Sequence, residues 1–209
     1  MSGSPNLFST IQSGGVVVYI LILCSILSIA VMIERAMYYR RLSKIKRFLF
    51  MSEFAPEVQK GNIKKAIALC EAVDAPFARV LRAGLHINSR NERLVSQAME
   101  RETVVETIKL ERFISVSATI GSTAIYIGLL GTVIGVMRAF HDISLTGAGG
   151  INVIIGGISQ SLVATAAGLI VAIPALMSYN YFVRKIDHFV ADMELASSEL
   201  VDLLCVKQE

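Results

Sequence analysis

The chain has 209 residues, of which 54% are hydrophobic and 18% are charged, and its formal net charge is +3. Soluble domains usually carry about 25% charged residues, so this composition favours membrane spans over one or two soluble domains. The small net charge does not indicate nucleic-acid binding. The three cysteines form no CxxC pair and the three histidines have no ligand spacing. The cysteines are therefore predicted to be small buried residues in a reducing compartment, and no metal site is expected.

Three uncharged apolar runs cover residues 14–33, 113–137 and 143–183. A helix needs ~20 apolar residues to cross ~30 Å of hydrocarbon, so each run can form a transmembrane helix. The third run is too long for one crossing, and its TGAGG stretch at 146–150 predicts a turn. The third helix is therefore placed from about Ile151 onward.

The distribution of basic residues predicts the orientation of these spans. The first fifteen residues contain no Lys or Arg, whereas basic residues follow the first run (Arg35, Arg40, Arg41, Lys44, Lys46 and Arg47) and the third (Arg184 and Lys185). Cytoplasmic flanks carry the excess of Lys and Arg, so the N-terminus is predicted to be periplasmic. A signal peptide would carry its positive charge before the apolar run, so the first run is predicted to be a retained anchor.

The predicted order follows from these assignments. It is a periplasmic N-terminus (1–14), transmembrane helix 1 (15–35), a cytoplasmic helical region (36–112), transmembrane helix 2 (113–139), a periplasmic loop (140–150), transmembrane helix 3 (151–183) and a cytoplasmic tail helix (184–209). The predicted fold class is an all-α membrane protein with three transmembrane helices, the second and third of which extend far into the cytoplasm, plus a small cytoplasmic helical region.

The cytoplasmic region shows helical patterns. Apolar residues alternate with lysines in GNIKKAIALCEA at 61–72, and PFARVLRAGL at 76–85 begins with a helix-starting proline. Ser89 stands three residues before Glu92, which is the spacing of a capping box. No Gly or Pro follows until Gly121, so a helix is predicted to continue unbroken from there into the second span. The third helix is predicted to reach about Leu203.

The second and third spans each carry one face of small residues. In the second span the face is Ser117, Gly121, Ala124, Gly128, Gly131 and Gly135, and in the third it is Gly157, Ser161, Thr165, Gly168, Ala172 and Ala175. Small residues let membrane helices approach closely, so tight helix packing is the plain interpretation. Gln160 cannot satisfy its amide on its own helix and needs a partner helix, water or a lumen. Pro174 is predicted to kink the third helix.

Neither span contains an Asp, Glu, Lys or His in its interior; only Arg138 and His141 stand at the outer exit of the second span. Ionisable groups inside a membrane mark ion paths. If the protein moves protons, the titrating group is therefore expected on a partner.

Two stretches carry a family resemblance. LLGTVIGVMRAF at 129–140 and GGISQSLVATAAGLIVAIPALMSYN at 156–180 resemble the two signature helices of the MotA/TolQ/ExbB proton-channel family, and its ExbB and TolQ members are the most similar. The resemblance implies a multi-pass protein of the Gram-negative inner membrane that forms a homopentamer. The second and third spans would line a pore that holds a single-span ExbD- or TolR-like partner with an essential aspartate. A TonB- or TolA-like protein would transmit the work to the outer membrane.

The resemblance also implies roles for individual residues. Thr132 and Thr165 match the pore threonines of the family, and the predicted proton path comprises Thr132, Gln160, Ser161 and Thr165. Gln160 stands where ExbB and TolQ commonly have a glutamate, so any proton step assigned to that glutamate is in doubt here. The glycines predicted to pack around the partner are Gly121, Gly128, Gly131, Gly135 and Gly168. Protons are the expected transported ion, and no cofactor is expected.

Several alternatives remain open. A TolQ-like or gliding-type motor is as compatible with the sequence as a TonB system, whereas a MotA-like stator would need four spans. A non-conducting membrane scaffold is a second class. An intramembrane enzyme is disfavoured because the spans hold no carboxylate pair and no Ser–His pair. Arg40, Arg41 and Lys44 are candidates for contacts with lipid headgroups.

Overall fold

The computed structural model describes residues 15–87, 91–146 and 151–205, and these residues form seven helices. The helices are α1 (Gly15–Leu42), α2 (Arg47–Gln59), α3 (Ile63–Glu71), α4 (Pro76–His86), α5 (Glu92–Glu111), α6 (Ile114–Thr146) and α7 (Ile151–Cys205). The predictions for 1–14, for the 147–150 part of the outer loop and for the end of the tail at 206–209 lie outside the described residues.

Three of these helices, α1, α6 and α7, are long and apolar enough to cross a membrane. No strand occurs in the described ranges, so the predicted all-α fold with three spanning helices is confirmed. At 1.5 Å per residue, the 55 residues of α7 extend about 80 Å and the 33 residues of α6 about 50 Å, and each exceeds a bilayer core of about 30 Å. The sides and levels at which the helices leave the membrane stay predictions.

The turns between α2, α3 and α4 follow the chemistry of their residues. Gly61 has a φ of +78° after the end of α2, a conformation that costs glycine little, and its N–H donates to the carbonyl of Val58 at 3.0 Å. α4 begins at Pro76, as predicted. The alternating pattern at 61–72 forms α3, in which Ala66 and Cys70 are buried.

α5 has a capped start, and its end corrects one prediction. α5 begins at Glu92 with Asn91 as its N-cap, whose side chain accepts a hydrogen bond from the N–H of Arg93 at 3.1 Å. Ser89 and its predicted capping role lie outside the described residues. The prediction of an unbroken helix into the second span is wrong. α5 ends at Glu111, α6 begins at Ile114, and Phe113 between them has a φ of +64°.

Two side chains of α1 bind the carbonyls at the end of α5. The Tyr39 hydroxyl donates to the carbonyl of Leu110 at 2.7 Å, and Nη1 of Arg35 donates to the carbonyls of Lys109 and Leu110 at 3.4 Å each. The last carbonyls of a helix have no partner within the helix, and a basic side chain there also complements the helix dipole. Arg35 is 4% exposed and binds the end of α5. From the sequence alone it was one of the basic residues that flank the first span.

The chain divides into two compact units, residues 1–34 with 113–180 and residues 35–112 with 181–209. The second unit has an aromatic core in which Tyr39 packs against Phe182 and Phe189, and Phe50 packs against Phe54 and Phe77. Cys70 is a free thiol in this unit, and burial raises its pKa to about 12. Its predicted role as a small buried residue is confirmed, whereas Cys24 in α1 is only half-buried.

Candidate functional site

The first unit contains the close packing of α6 against α7. A Cβ atom added to Gly128 would lie 2.9 Å from the carbonyl oxygen of Ala164, and one added to Gly168 would lie 2.7 Å from that of Ala124. Contacts this short with backbone atoms leave no room for a side chain. The two helices therefore approach each other closely along their small-residue faces, which we call the α6–α7 seam.

The remaining glycines predicted to be packing residues extend the same seam. A Cβ on Gly121 would lie 3.0 Å from the backbone nitrogen of Leu176. A Cβ on Gly131 would lie 2.6 Å from Cβ of Ala164, and one on Gly135 the same distance from Cβ of Ser161. All five predicted glycines thus pack helices of one chain against each other. Their additional contact with a partner helix stays a prediction.

One hydroxyl joins the two helices of the seam. Oγ1 of Thr165 donates a hydrogen bond to the carbonyl oxygen of Gly128 at 3.2 Å. The other predicted hydroxyls bond within their own helices: Oγ of Ser161 donates to the carbonyl of Ile158 at 2.8 Å, and Oγ1 of Thr132 to that of Leu129 at 2.6 Å. Hydroxyls bonded in this way keep acceptor lone pairs available for a further donor.

The predicted proton-path residues differ in their exposure to solvent. Ser161 is buried in the seam, Thr165 and Thr132 are half-buried, and Gln160 is exposed. An exposed amide on an apolar helix fits the prediction that Gln160 faces a partner helix, water or a lumen. α7 continues through Pro174 to Cys205, and the predicted kink at Pro174 stays a prediction.

Large apolar side chains surround the seam on the surface of the unit. Ile170 is 72% exposed, Tyr126 70%, and Leu162 60%. Side chains of this kind are stable when they contact lipid or other helices in the membrane. The outer surface of α6 and α7 is therefore suited to contact with lipid or with other helices.

Sequence analysis missed the part that α1 plays at the seam. Leu21 is buried with Ala124 of α6 and Ala172 of α7, and Val17 packs against this group. A Cβ added to Gly131 would also lie 3.1 Å from Cγ1 of Val17. Residues 15–33 of α1 carry no charge on any side of the helix, so no periodicity marks the face that packs.

The three candidate lipid contacts lie near the end of α1 in the second unit. Arg40, Arg41 and Lys44 are all exposed, which the predicted role requires. Nε of Arg41 also forms an ion pair with Asp74 at 3.2 Å, so part of its charge is already matched by a carboxylate. Their contact with lipid headgroups stays a prediction.

Comparison with known proteins shows a match to one protein family. The model of the "MotA/TolQ/ExbB proton channel family" matches residues 72–195, more than half of the 209-residue chain. A protein of Synechocystis named "biopolymer transport protein ExbB-like 3" is 34% identical over 174 residues, which are 82% of this chain and 82% of that protein.

Two further relatives come from other organisms. An ExbB homolog of Methanothermobacter thermautotrophicus is 29% identical over 198 residues, which cover 91% of this chain and 69% of that protein. The biopolymer transport protein ExbB of Neisseria gonorrhoeae is 34% identical over 154 residues, which cover 66% of this chain and 70% of the relative. The family match contains α4 to α6 and most of α7, and therefore the whole α6–α7 seam.

Proposed function

The chain belongs to the MotA/TolQ/ExbB proton channel family, and we propose on this premise that it is an ExbB-like subunit that conducts protons with a single-span partner. The observation that carries the proposal is the Thr165 hydroxyl in the seam, bonded to the carbonyl of Gly128 on the facing helix. A hydroxyl held between two apolar helices can accept a hydrogen bond from a carboxylic acid or donate one to a carboxylate.

The titrating carboxylate is proposed to belong to the partner. Spans α6 and α7 contain no Asp, Glu or Lys between residues 114 and 137 or between 151 and 183. Within the proposal, an ExbD- or TolR-like helix places its aspartate beside Thr132 and Thr165. As bonded in this structure, each hydroxyl can accept a hydrogen bond from the neutral form of that aspartate. To donate to the charged form, the hydroxyl would turn away from its carbonyl acceptor. Ser161 and Gln160 complete the polar surface along which the partner helix lies.

The assembly and the process it serves are part of the same proposal. A homopentamer of this chain in the Gram-negative inner membrane, with its N-terminus in the periplasm and its C-terminus in the cytoplasm, would surround the partner helices. Protons are the transported ion, and the mechanism uses no cofactor. Coupling through a TonB-like protein to import across the outer membrane is favoured by the ExbB names of the relatives. A TolQ-like subunit of the Tol-Pal system, acting with a TolA-like protein, or a gliding-type motor is the alternative.

A non-conducting scaffold is a second candidate because of the packing itself. Every glycine singled out in the seam is accounted for by the contact of α6 with α7 within one chain. A scaffold needs this packing and does not need the hydroxyls. The two candidates therefore differ in what they predict for threonine-to-valine changes.

The test is proton uptake into liposomes that contain the chain co-purified with its single-span partner. Thr132→Val and Thr165→Val should each lower uptake by about tenfold or more, equivalent to about 1.4 kcal/mol in the barrier. Gln160→Ala and an Asp→Asn change in the partner are measured beside them. Valine keeps the shape of threonine and removes the hydroxyl, so the change isolates hydrogen bonding.

Thr123→Val is the matched control. Oγ1 of Thr123 donates to the carbonyl of Thr119 at 2.7 Å on an exposed face of α6, so its loss should leave uptake unchanged. The contrary result is uptake that is unchanged in Thr132→Val, Thr165→Val and the partner Asp→Asn variant, in a complex of unchanged size. That result would reject conduction by the proposed path and leave the scaffold. Loss of uptake in the Thr123 variant as well would show a general effect on assembly.

A further inference from the structure

A cavity of about 330 Å³ lies in the second unit, outside the membrane seam. The end of α1 and the turn after it form one wall, the first residues of α2 and α4 form two more, and α7 closes the cavity with residues 185–192. All of these segments belong to one compact unit. The proposed proton path makes no use of this cavity.

Four basic side chains line the cavity, namely Lys46, Arg47, Lys185 and His188, against one carboxylate, that of Asp192. Nε of Arg47 lies 3.4 Å from Oδ1 of Asp192, so that carboxylate is already paired. Arg47 also binds Glu199. Among the described residues, Lys46 and Lys185 have no carboxylate within ion-pair distance; the ammonium group of Lys185 lies 5.6 Å from the centre of the Phe189 ring. The two lysines therefore supply the unmatched positive charge.

Some polar groups at the cavity also lack a hydrogen-bond acceptor. α2 begins at Arg47, and its N-cap Lys46 makes no side-chain capping bond, so N–H groups of the first turn have no partner in the helix. Oγ of Ser43 is a buried atom without a hydrogen-bond partner in the described part of the chain, and Nε of Arg47, although within ion-pair distance of Asp192, forms no hydrogen bond. Buried polar atoms are almost always satisfied, by protein, water or ligand. An anion with several oxygens can accept hydrogen bonds from these donors and balance the positive charge.

The remaining wall of the cavity is aromatic. Phe77 and Phe189 are buried, while Phe48 is 77% exposed at the cavity and Leu49 beside it is 62% exposed. A small inorganic anion does not need an apolar wall, whereas an ester carries an organic group that can cover it. The combination selects a phosphate that is attached to an apolar or neutral group.

We propose that this cavity binds a phosphate ester, with the phosphate held by Lys46, Lys185 and the start of α2 and the organic part against Phe48 and Phe77. Two sources share this chemistry, the headgroup of an anionic phospholipid and a soluble phosphomonoester. The site is separate from the seam, so its failure would leave the proposed proton conduction untouched.

The test measures binding to the full chain purified with its partner. In one arm the protein is placed in nanodiscs of phosphatidylcholine with or without phosphatidylglycerol, and retained lipid is counted by native mass spectrometry. In the other arm the protein, in phosphatidylcholine nanodiscs, is titrated with glycerol 3-phosphate in a calorimeter. Retention of phosphatidylglycerol would identify the lipid as the source, and saturable binding of glycerol 3-phosphate would identify the soluble ester. If neither probe binds, the proposal is overturned.

The variant Lys46→Gln/Lys185→Gln should weaken whichever binding is found by about tenfold or more, because it removes both unmatched charges. Lys64→Gln/Arg184→Gln is the matched control, since it removes two exposed charges that do not line the cavity. Equal weakening in the control would overturn the proposal by showing only a net-charge effect. Should the double variant fail to assemble, Lys46→Gln alone carries the same comparison, and unchanged binding in it would count against the site.

Discussion

The hydroxyl of Thr165 in α7 donates a hydrogen bond to the carbonyl oxygen of Gly128 in α6 at 3.2 Å. The bond crosses the contact at which the helices approach too closely for any side chain on Gly128. A carbonyl inside a helix is already used by the backbone, so the threonine binds its second lone pair. The hydroxyl is thereby fixed in place and still offers its own lone pairs to a further donor.

Thr165→Ser and Thr165→Val should therefore behave differently in proton uptake. Serine keeps the hydroxyl and should retain uptake within about threefold, whereas valine should lose about tenfold or more. Both variants should assemble, because losing one net hydrogen bond costs about 1 kcal/mol. The measurement is uptake in liposomes together with the thermal unfolding temperature in detergent. Equal uptake for serine and valine would show that shape, and not the hydroxyl, matters at this position.

Gly168→Ala should disrupt the seam. Its added Cβ would lie 2.7 Å from the carbonyl oxygen of Ala124 and 3.0 Å from Cα of Gly128, and backbone atoms cannot move aside as a side-chain end does. Overpacking of this kind costs about 1–3 kcal/mol. Gly156→Ala is the matched control in the same helix, because a Cβ there meets nothing within 4 Å. The thermal unfolding temperature and the amount of full-size complex in detergent should fall for Gly168→Ala only. Equal stability of the two variants would contradict the packing argument.

The sequence predicted the seam well because its signal is local. Glycines spaced three and four residues apart mark one face of α6, and the structure brings that face against α7. The break at Phe113 had no such signal, since no Gly or Pro stands near it. The carbonyls at the end of α5 are bound instead by Arg35 and Tyr39, more than 70 residues earlier. Contacts that distant in sequence, like the packing face of α1, are set by tertiary structure and leave no periodic pattern.

Glu106 is a buried carboxylate at the centre of an ionic cluster in the second unit, and neutralising it should destabilise that unit. Its side chain is 1% exposed and binds Arg79 and, at 2.6 Å, Nζ of Lys109. Burial lowers the pKa of Arg79, but the charges and hydrogen bonds of Glu106 and Asp74 together raise it above its ordinary value. Glu106→Gln would leave Arg79 with Asp74 alone and should cost about 3 kcal/mol.

Hydrogen exchange of the α4 and α5 amides measures this loss. Glu71→Gln is the control, because Glu71 and Arg82 are 3.8 Å apart and each is about half exposed. Pairs in contact with solvent contribute about 0–1 kcal/mol. Faster exchange in α4 and α5 is expected for Glu106→Gln and not for Glu71→Gln. Similar exchange in the two variants would mean that the buried cluster adds nothing beyond a surface pair.

Glu57 gives the turn between α2 and α3 a dependence on pH. Its carboxylate accepts hydrogen bonds from Nζ of Lys65 at 2.9 Å and from Nδ2 of Asn62 at 3.1 Å. The bond from Lys65, followed by that from Asn62, lowers the pKa of Glu57 below its ordinary value. Since the folded pKa lies below the unfolded one, the stabilisation is complete above the unfolded pKa and is lost as the pH falls through the folded pKa.

Amide exchange at the end of α2 and in α3, corrected for its intrinsic dependence on pH, should therefore report greater protection in the wild type than in Glu57→Gln at neutral pH. This difference should disappear as the pH falls below the ordinary range of a glutamate, because protonation removes the same charge that the substitution removes. Glu53→Gln, an exposed position in the same helix, serves as the control and should match the wild type throughout. A difference between wild type and Glu57→Gln that persists undiminished in acid would show that the Glu57 carboxylate stabilises the turn through packing and not through its charge.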